Sequence, residues 1–247
     1  RLCRHGRDML YTYCEERGIE HQRLGKLIVA THKNQVDKLG EILSCARDND
    51  VDSVVHLSES DVKCLEPEIE SVAGLWSLTG IVDTHSLMLS YQGDAEEHGA
   101  VFSFRSPVIS GRVIDSGVEV STGGDTPFTL RCRHLVNAAG FEAQNIAAKI
   151  DGLPGETIPR RLLARGVYFT VQGRCPFQHL IYPVPEPGGL GIHATLDLAG
   201  KVRFGPDVEW IEEIDYTVDT DRANAFYSAI RTYWPDLPSG SLQPDYA

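Results

Sequence analysis

The sequence predicts a mixed α/β fold, α+β in its layering, built as two interleaved domains. Three observations carry this. The apolar pattern runs helix, strand, helix at the start, turns into a short β meander after residue 100 and is mostly strand-like in the second half, an order that one continuous winding does not produce. The chain has 247 residues, 42% apolar and 23% charged, which is globular in composition and long enough for one large core or two small ones. No internal repeat is visible, so stacked-repeat architectures are excluded.

Each element has a local reason. Leu2, Met9, Leu10, Tyr13 and Cys14 recur at helical spacing and Gly18 follows as a good C′ residue, which predicts a first helix. Residues 26–31 form a short buried-strand run, and Val36, Leu39, Leu43 and Ala46 mark an amphipathic helix. Residues 58–61 resemble a capping box opening a short helix that Pro67 limits, and residues 72–78 read as a strand. Asp83 or Thr84 caps a helix through Leu87, Met88, Tyr91 and Ala95, closed by Gly99. Strands are expected at 101–104, 108–114 and 118–121, with turn signals between them. Residues 128–137 read as a strand entering the turn Ala138-Ala139-Gly140, and a helix is expected over 142–150. Strand-like runs follow at 167–171, 180–184, 190–198 and 201–204. A last helix over 222–234 puts Phe226, Ile230 and Trp234 on one face.

Charge and cysteine content narrow the function classes. With 23 basic against 35 acidic residues the net charge is −12, so the surface repels phosphate backbones and anionic lipid alike, and neither nucleic acid nor a membrane surface is an expected partner. The longest uncharged runs, such as residues 71–82, fall short of the roughly 18 apolar residues of a membrane span. Cys3, Cys14, Cys45, Cys64, Cys132 and Cys175 form no C-x-x-C pair, which favours reduced thiols inside a cell and argues against structural zinc. The chain starts at Arg1 without an initiator Met or signal pattern and ends at Ala247 without a stop signal, so it reads as an internal fragment.

Four segments invite chemical readings. Residues 189–194 match G-x-G-x-x-A, but Pro183, Pro185 and Pro187 precede them and a strand pattern follows, where a dinucleotide loop needs a strand before it and a helix after. Residues 135–140 are better placed: small residues between a strand and a helix let a ligand approach the backbone, although a plain tight turn fits equally well. Asp83 and His85 could suggest a metal pair, yet capping suffices for both. The acidic run Asp207, Glu209, Glu212, Glu213 and Asp215 lacks EF-hand spacing and reads as a solvated face. No metal is expected.

The order of Gly80-Ile-Val-Asp-Thr-His-Ser-Leu-Met-Leu89, Val136-Asn-Ala-Ala-Gly140, Leu180-Ile-Tyr-Pro-Val-Pro185, Gly191-Ile-His-Ala-Thr195 and Arg203-Phe-Gly-Pro206 resembles FAD-dependent oxidoreductases of the D-amino-acid-oxidase superfamily, in the L-2-hydroxyglutarate dehydrogenase/oxidase-like branch. The resemblance covers nearly the whole chain. It implies an FAD-binding Rossmann-like domain from residues 1–25 and 80–152, interleaved with a mixed or antiparallel-sheet substrate domain from 26–79 and 153–240. The family's phosphate-binding G-x-G-x-x-G, its acidic ribose ligand and its usual base candidate are expected outside these 247 residues, so no residue here is assigned as catalytic.

For FAD, the resemblance implies a backbone contact to adenine at Val108 and a place beside the diphosphate-ribose for Ala138, Ala139 and Gly140. Glu142 departs from the pattern, because a carboxylate near phosphates is repelled unless it points away. For substrate, it implies contacts from His193 and Tyr182 on neighbouring strands, with Arg165 as a candidate carboxylate grip. A hydrogen-bonded core histidine and a surface ion pair are the respective alternatives. The implied function is oxidation of a small 2-hydroxy acid, L-2-hydroxyglutarate-like, by hydride transfer to the flavin. An amine oxidase of glycine or sarcosine type is the near alternative, and a cofactor-free binding module is another if the chain is complete. The electron acceptor is unassigned. The expected location is intracellular, cytoplasmic in a bacterium and mitochondrial in a eukaryote.

Overall fold

The computed structural model describes residues 2–185 and 191–247. The chain divides into two compact units, Arg1–Gln92 with Leu163–Ala247, and Gly93–Leu162.

In the larger unit, α1 (Leu2–Arg17) closes at Gly18, whose φ of +64° is the left-handed C′ conformation the sequence signalled. The short β1 (His21–Gln22) and then β2 (Lys26–Ala30) follow. The helix α2 (Val36–Asp48) buries Leu39. After β3 (Val55–Ser58), α3 (Glu59–Leu65) begins with the expected box: Asp61 N–H donates to Ser58 Oγ at 3.2 Å and Ser58 N–H donates to Asp61 Oδ2 at 2.9 Å. Next come β4 (Ala73–Ser77), β5 (Ile81–Val82) and α4 (Thr84–Glu97). Asp83 caps α4, accepting from His85 N–H at 3.0 Å, Ser86 N–H at 3.1 Å and the Ser86 hydroxyl at 2.5 Å.

The smaller unit is a four-stranded sheet with a short helix. Strands β6 (Val108–Ile114), β7 (Gly117–Thr122) and β8 (Thr129–Cys132) form the expected meander. The helix α5 (Ala143–Ala147) leads to β9 (Ile150–Asp151), which pairs parallel to β6. Three expectations change here. Residues 101–104 are not a strand, and the strand expected over 128–137 keeps only β8. Apolar runs of this kind become strands only against a partner ladder, and none pairs with 101–104 or 133–137 among the described residues. The helix expected over 142–150 shrinks to α5, because the chain enters through a 3-10 turn at Gly140–Glu142 and Ile150 is drawn into β9.

The second half of the larger unit supplies β10 (Leu163–Arg165), β11 (Phe169–Val171), β12 (Leu180–Pro183), β13 (Ala194–Leu196), β14 (Val202–Phe204), β15 (Glu209–Ile211), α6 (Ala223–Ile230) and β16 (Leu242–Pro244). The strand expected over 190–198 is shorter than its pattern, and Leu190, with Gly189 of the discounted glycine motif, lies outside the described residues. The helix expected over 222–234 is α6 followed by turns that still bury Tyr233 and Trp234.

Eight strands make the main sheet in the order β16-β11-β14-β13-β12-β2-β4-β3. All neighbours are antiparallel except β12 and β2, which run parallel with Leu180 opposite Lys26 and Pro183 opposite Val29. Strand alternation sends Leu27, Val29, Ile181 and Phe204 into one core with Phe226, Ile230 and Trp234, while Ala30 and Leu75 meet Leu39 of α2 in a second. Glu66, fully buried just after α3, ties the segment entering β12 to this layer. Its Oε1 accepts from the Gln178 N–H at 2.8 Å, the His179 N–H at 2.7 Å and the His179 ring at 2.7 Å.

At Gly25, φ is +76° and a Cβ would fall 2.0 Å from Trp76 Cη2, whereas Gly40 sits in α2 with nothing within 4 Å of a Cβ. Gly25→Ala is therefore expected to cost at least about 2 kcal/mol and Gly40→Ala to stabilise by about 0.5–1 kcal/mol in urea denaturation. Glu66→Ala strands three part-buried donors and leaves a cavity at a fully buried position, and a loss of about 2–4 kcal/mol with an unchanged m-value is the expected outcome.

Candidate active site

The main sheet has one face committed to the Phe226–Trp234 core. By alternation Lys26, Tyr182, His193, Thr195, Arg203 and Thr170 share the opposite face, across five strands. All but Thr170 are only partly buried. Tyr182 and His193 come together as the sequence suggested: their rings are stacked with centroids 3.7 Å apart and an interplanar angle of 12°. Burial pushes the Tyr182 hydroxyl above its ordinary value, an effect that hydrogen bonding from the Thr195 side chain partly offsets. The Lys26 ammonium lies over the Tyr182 ring, 4.6 Å from its centroid, and burial lowers the lysine's pKa.

Arg203 shares this face but is committed to carboxylates. Its Nε donates to Asp245 at 2.6 Å, and Nη1 lies 3.8 Å from Asp197. An open cleft of about 460 Å³ adjoins it, between residues 81–84 and 196–199. A larger cleft of about 1080 Å³ lies elsewhere, lined by Ser58, Lys63, Ser71 and Arg231 among others, and none of the candidate residues borders it.

Arg165 is not gathered into the Tyr182–His193 group. It ends β10, which pairs only with β15, and donates to Glu209 at 2.8 Å from Nη2, to Asp215 from Nη1 and to the Thr217 carbonyl at 3.1 Å. Arg222 joins the same cluster through Asp207 at 2.5 Å and Glu209. The structure thus corrects the reading of the acidic run as a solvated face: three of its carboxylates neutralise two arginines. These contacts hold the Glu209 and Asp215 carboxyls below their ordinary range, Glu209 chiefly through Arg165 and Asp215 chiefly through Thr217.

The residues that the resemblance links to a flavin all lie in the smaller unit. Val108 opens β6 at a register irregularity before Ser110. Ala138, Ala139 and Gly140 are exposed, and Gly140 has φ +56° with open space where a Cβ would be. Asn137 braces the turn, its Nδ2 donating to the Ala143 carbonyl at 2.7 Å. Glu142, the departure from the family pattern, accepts from Asn145 at 2.9 Å and lies 3.7 Å from Arg161, so its charge is partly neutralised by protein. An open, side-chain-poor turn with a left-handed glycine fits close approach by the ribose-diphosphate part of FAD. Among the described residues no group of three His, Cys, Asp or Glu is placed to hold a metal, and no helix is long and apolar enough to cross a membrane.

Sequence reasoning did not single out Lys26, which shares the face of Tyr182 and His193. The signal was there: a lysine heading the run Lys-Leu-Ile-Val-Ala falls on the face opposite Leu27 and Val29, away from the core those two enter.

Comparison with known proteins places this geometry in a family. Residues 1–247 match the family described as FAD dependent oxidoreductase (DAO). The mitochondrial L-2-hydroxyglutarate dehydrogenase of Arabidopsis thaliana is 38% identical over 289 residues, covering 100% of this chain and 60% of that protein. L-proline dehydrogenase from P. horikoshii has a TM-score of 0.79 at 16% identity, covering 98% of this chain and 65% of its own. Glycine oxidase from Bacillus cereus has a TM-score of 0.77 at 16% identity, covering 99% and 66%. The chain thus spans about 60% of the length of its plant relative. With every residue inside the family match, the chain belongs to the DAO family of FAD-dependent oxidoreductases.

Proposed function

We propose that this chain is part of an FAD-dependent dehydrogenase that oxidises a small 2-hydroxy acid of the L-2-hydroxyglutarate type. The observation that carries the reading is the 38% identity to an L-2-hydroxyglutarate dehydrogenase across every residue of the chain. The amine alternative draws on glycine oxidase and proline dehydrogenase at 16% identity, a likeness of fold alone. In this reading residues 80–152, with 1–25, serve the cofactor, and 26–79 with 153–240 serve the substrate. An intracellular location, mitochondrial in a eukaryote or cytoplasmic in a bacterium, accords with six free thiols and a mitochondrial relative.

Bound FAD would supply the two-electron oxidant, accepting the Cα hydrogen as hydride while the hydroxyl proton leaves to a base, so that a 2-hydroxy acid becomes a 2-oxo acid. Val108 would offer its backbone to the adenine, and Ala138 to Gly140 would leave room for the ribose and diphosphate. On the substrate side, Tyr182 holds the imidazole plane of His193 by stacking, and Thr195 positions the phenol. His193 would then hydrogen-bond the substrate's hydroxyl or carboxylate from a fixed direction, which lowers the entropic cost of orienting it. Arg165 is given no substrate role here, since Glu209 and Asp215 already occupy its guanidinium.

The turn is tested by Gly140→Val in the FAD-loaded protein. A branched side chain at φ +56° is strained by about 1–3 kcal/mol and fills the space a ligand would use. Loss of visible flavin absorbance after gel filtration, with far-UV circular dichroism retained, is expected; undiminished flavin content would remove Gly140 from the site. His193→Ala should lower kcat/KM for L-2-hydroxyglutarate about 10- to 100-fold, as for a lost hydrogen bond to a charged group, with the melting temperature little changed. Stopped-flow flavin reduction with L-2-hydroxyglutarate, glycine and sarcosine in parallel decides the substrate. Reduction by the amines and not by the hydroxy acid would overturn the reading.

A further inference from the structure

We propose that Lys26 is the specificity-determining cation of this site and that it receives the second carboxylate of a 2-hydroxy dicarboxylate. The inference rests on the hydroxy-acid reading above and adds what that reading leaves open: why a substrate with two carboxylates is preferred to one with a single carboxylate.

Among the described strand residues, Lys26 and Arg203 are the cations on this face of the main sheet. Arg203 is held by Asp245 and Asp197, and off this face Arg165 and Arg222 are likewise taken up by carboxylates. Lys26 has no carboxylate partner among the described residues, although the chain carries twelve more acidic than basic side chains. A half-buried ammonium sheds part of its hydration without recovering it from an ion pair, a cost that an incoming anion would offset.

Geometry then says which part of a substrate reaches it. Lys26, Tyr182 and His193 lie on or beside three adjacent strands, β2, β12 and β13, with the Tyr182 ring between the ammonium at 4.6 Å and the imidazole at 3.7 Å. Each strand spacing is about 4.7–4.9 Å, so a short extended chain running across the strands reaches from one group to the other. An imidazole suits the hydroxyl end, and an unpaired ammonium suits a remote carboxylate. Its neighbours on that face, Ser77 opposite it in the β2–β4 register and Ile28 two residues on, are uncharged. The Tyr182 ring also limits where the ammonium can go, because a cation held over an aromatic face gives up that contact when it swings into solvent.

The test compares L-2-hydroxyglutarate with L-2-hydroxypentanoate, which has the same five-carbon chain without the second carboxylate, in the FAD-loaded enzyme and its Lys26→Met and Lys26→Arg variants. Met keeps length and apolar stem, so the central strand is preserved, and a melting curve verifies it. Lys26→Met should raise KM for the dicarboxylate about 10- to 100-fold with a smaller change in kcat, leave the monocarboxylate's KM unaltered and so abolish the discrimination. Lys26→Arg should restore most of it, which a merely structural role would not explain. Binding of glutarate, which has no hydroxyl to oxidise, is followed by titration calorimetry against pentanoate. If glutarate binding depends on Lys26 while L-2-hydroxyglutarate is not oxidised, the hydroxy-acid reading fails and the Lys26 assignment stands. If L-2-hydroxyglutarate is oxidised with an unaltered KM in Lys26→Met, or both substrates lose equally, the Lys26 assignment is overturned and the hydroxy-acid reading stands.

Discussion

The parallel pairing of β2 with β12 is the constraint on which the larger unit depends. It joins residues 26–29 to residues 180–183, segments separated by the whole of the smaller unit, and it is the single parallel contact in an otherwise antiparallel eight-stranded sheet. Without it, β4 and β3 on one side and β13, β14, β11 and β16 on the other would be two unconnected ladders. A parallel pair needs a long crossover, so its closure entropy must be recovered by burial on both faces. That recovery is visible: Leu27 and Ile181 are fully buried beneath α6, and Val184 and Ala30 sit against α2 on the other side.

Glu66 strengthens the same junction. A buried carboxylate is costly unless its lone pairs are used; three donors from Gln178 and His179 converge on Oε1 just before β12 begins, while Oε2 is buried without a partner. The contact also explains the edge-on approach of Trp76 to His179, ring centroids 5.0 Å apart, which fixes the space that Gly25 must leave empty. Local chain geometry, core packing and a buried charge thus act on one seam. The register of that seam puts Tyr182 beside Ile28, and so within reach of Lys26.

Ion pairing separates the cations of the larger unit into those held by carboxylates and those that are not. Arg165, the arginine that sequence reasoning singled out, is taken up by carboxylates of the acidic run, as is Arg222, and the cluster ties β10 to β15 and to the start of α6. The same run was read as a solvated face because sequence shows which charges are near one another along the chain, and not which opposite charges the fold brings in, from 44 and 50 positions away for Arg165 and from 13 and 15 for Arg222. Lys26, which the sequence offered only as the first residue of a strand, shares a sheet face with Arg203 and, among the described residues, has no carboxylate partner there.

Sequence alone determined most local structure here. The helix ends at Gly18 and Gly99, the Ser58 and Asp83 caps and the turn at Gly140 were legible because each depends on residues within four positions of one another. Family membership and the cofactor class were legible too, through short motifs in a fixed order. The stacked pair Tyr182 and His193 could be anticipated from two neighbouring strand-like runs. Tertiary structure decided the rest. It removed strands at 101–104 and 133–137, where an apolar run had no ladder to join, and it drew Ile150 out of a helix into β9. It also assigned the cations, since whether an arginine or lysine is neutralised depends on distances across strands that no spacing along the chain records.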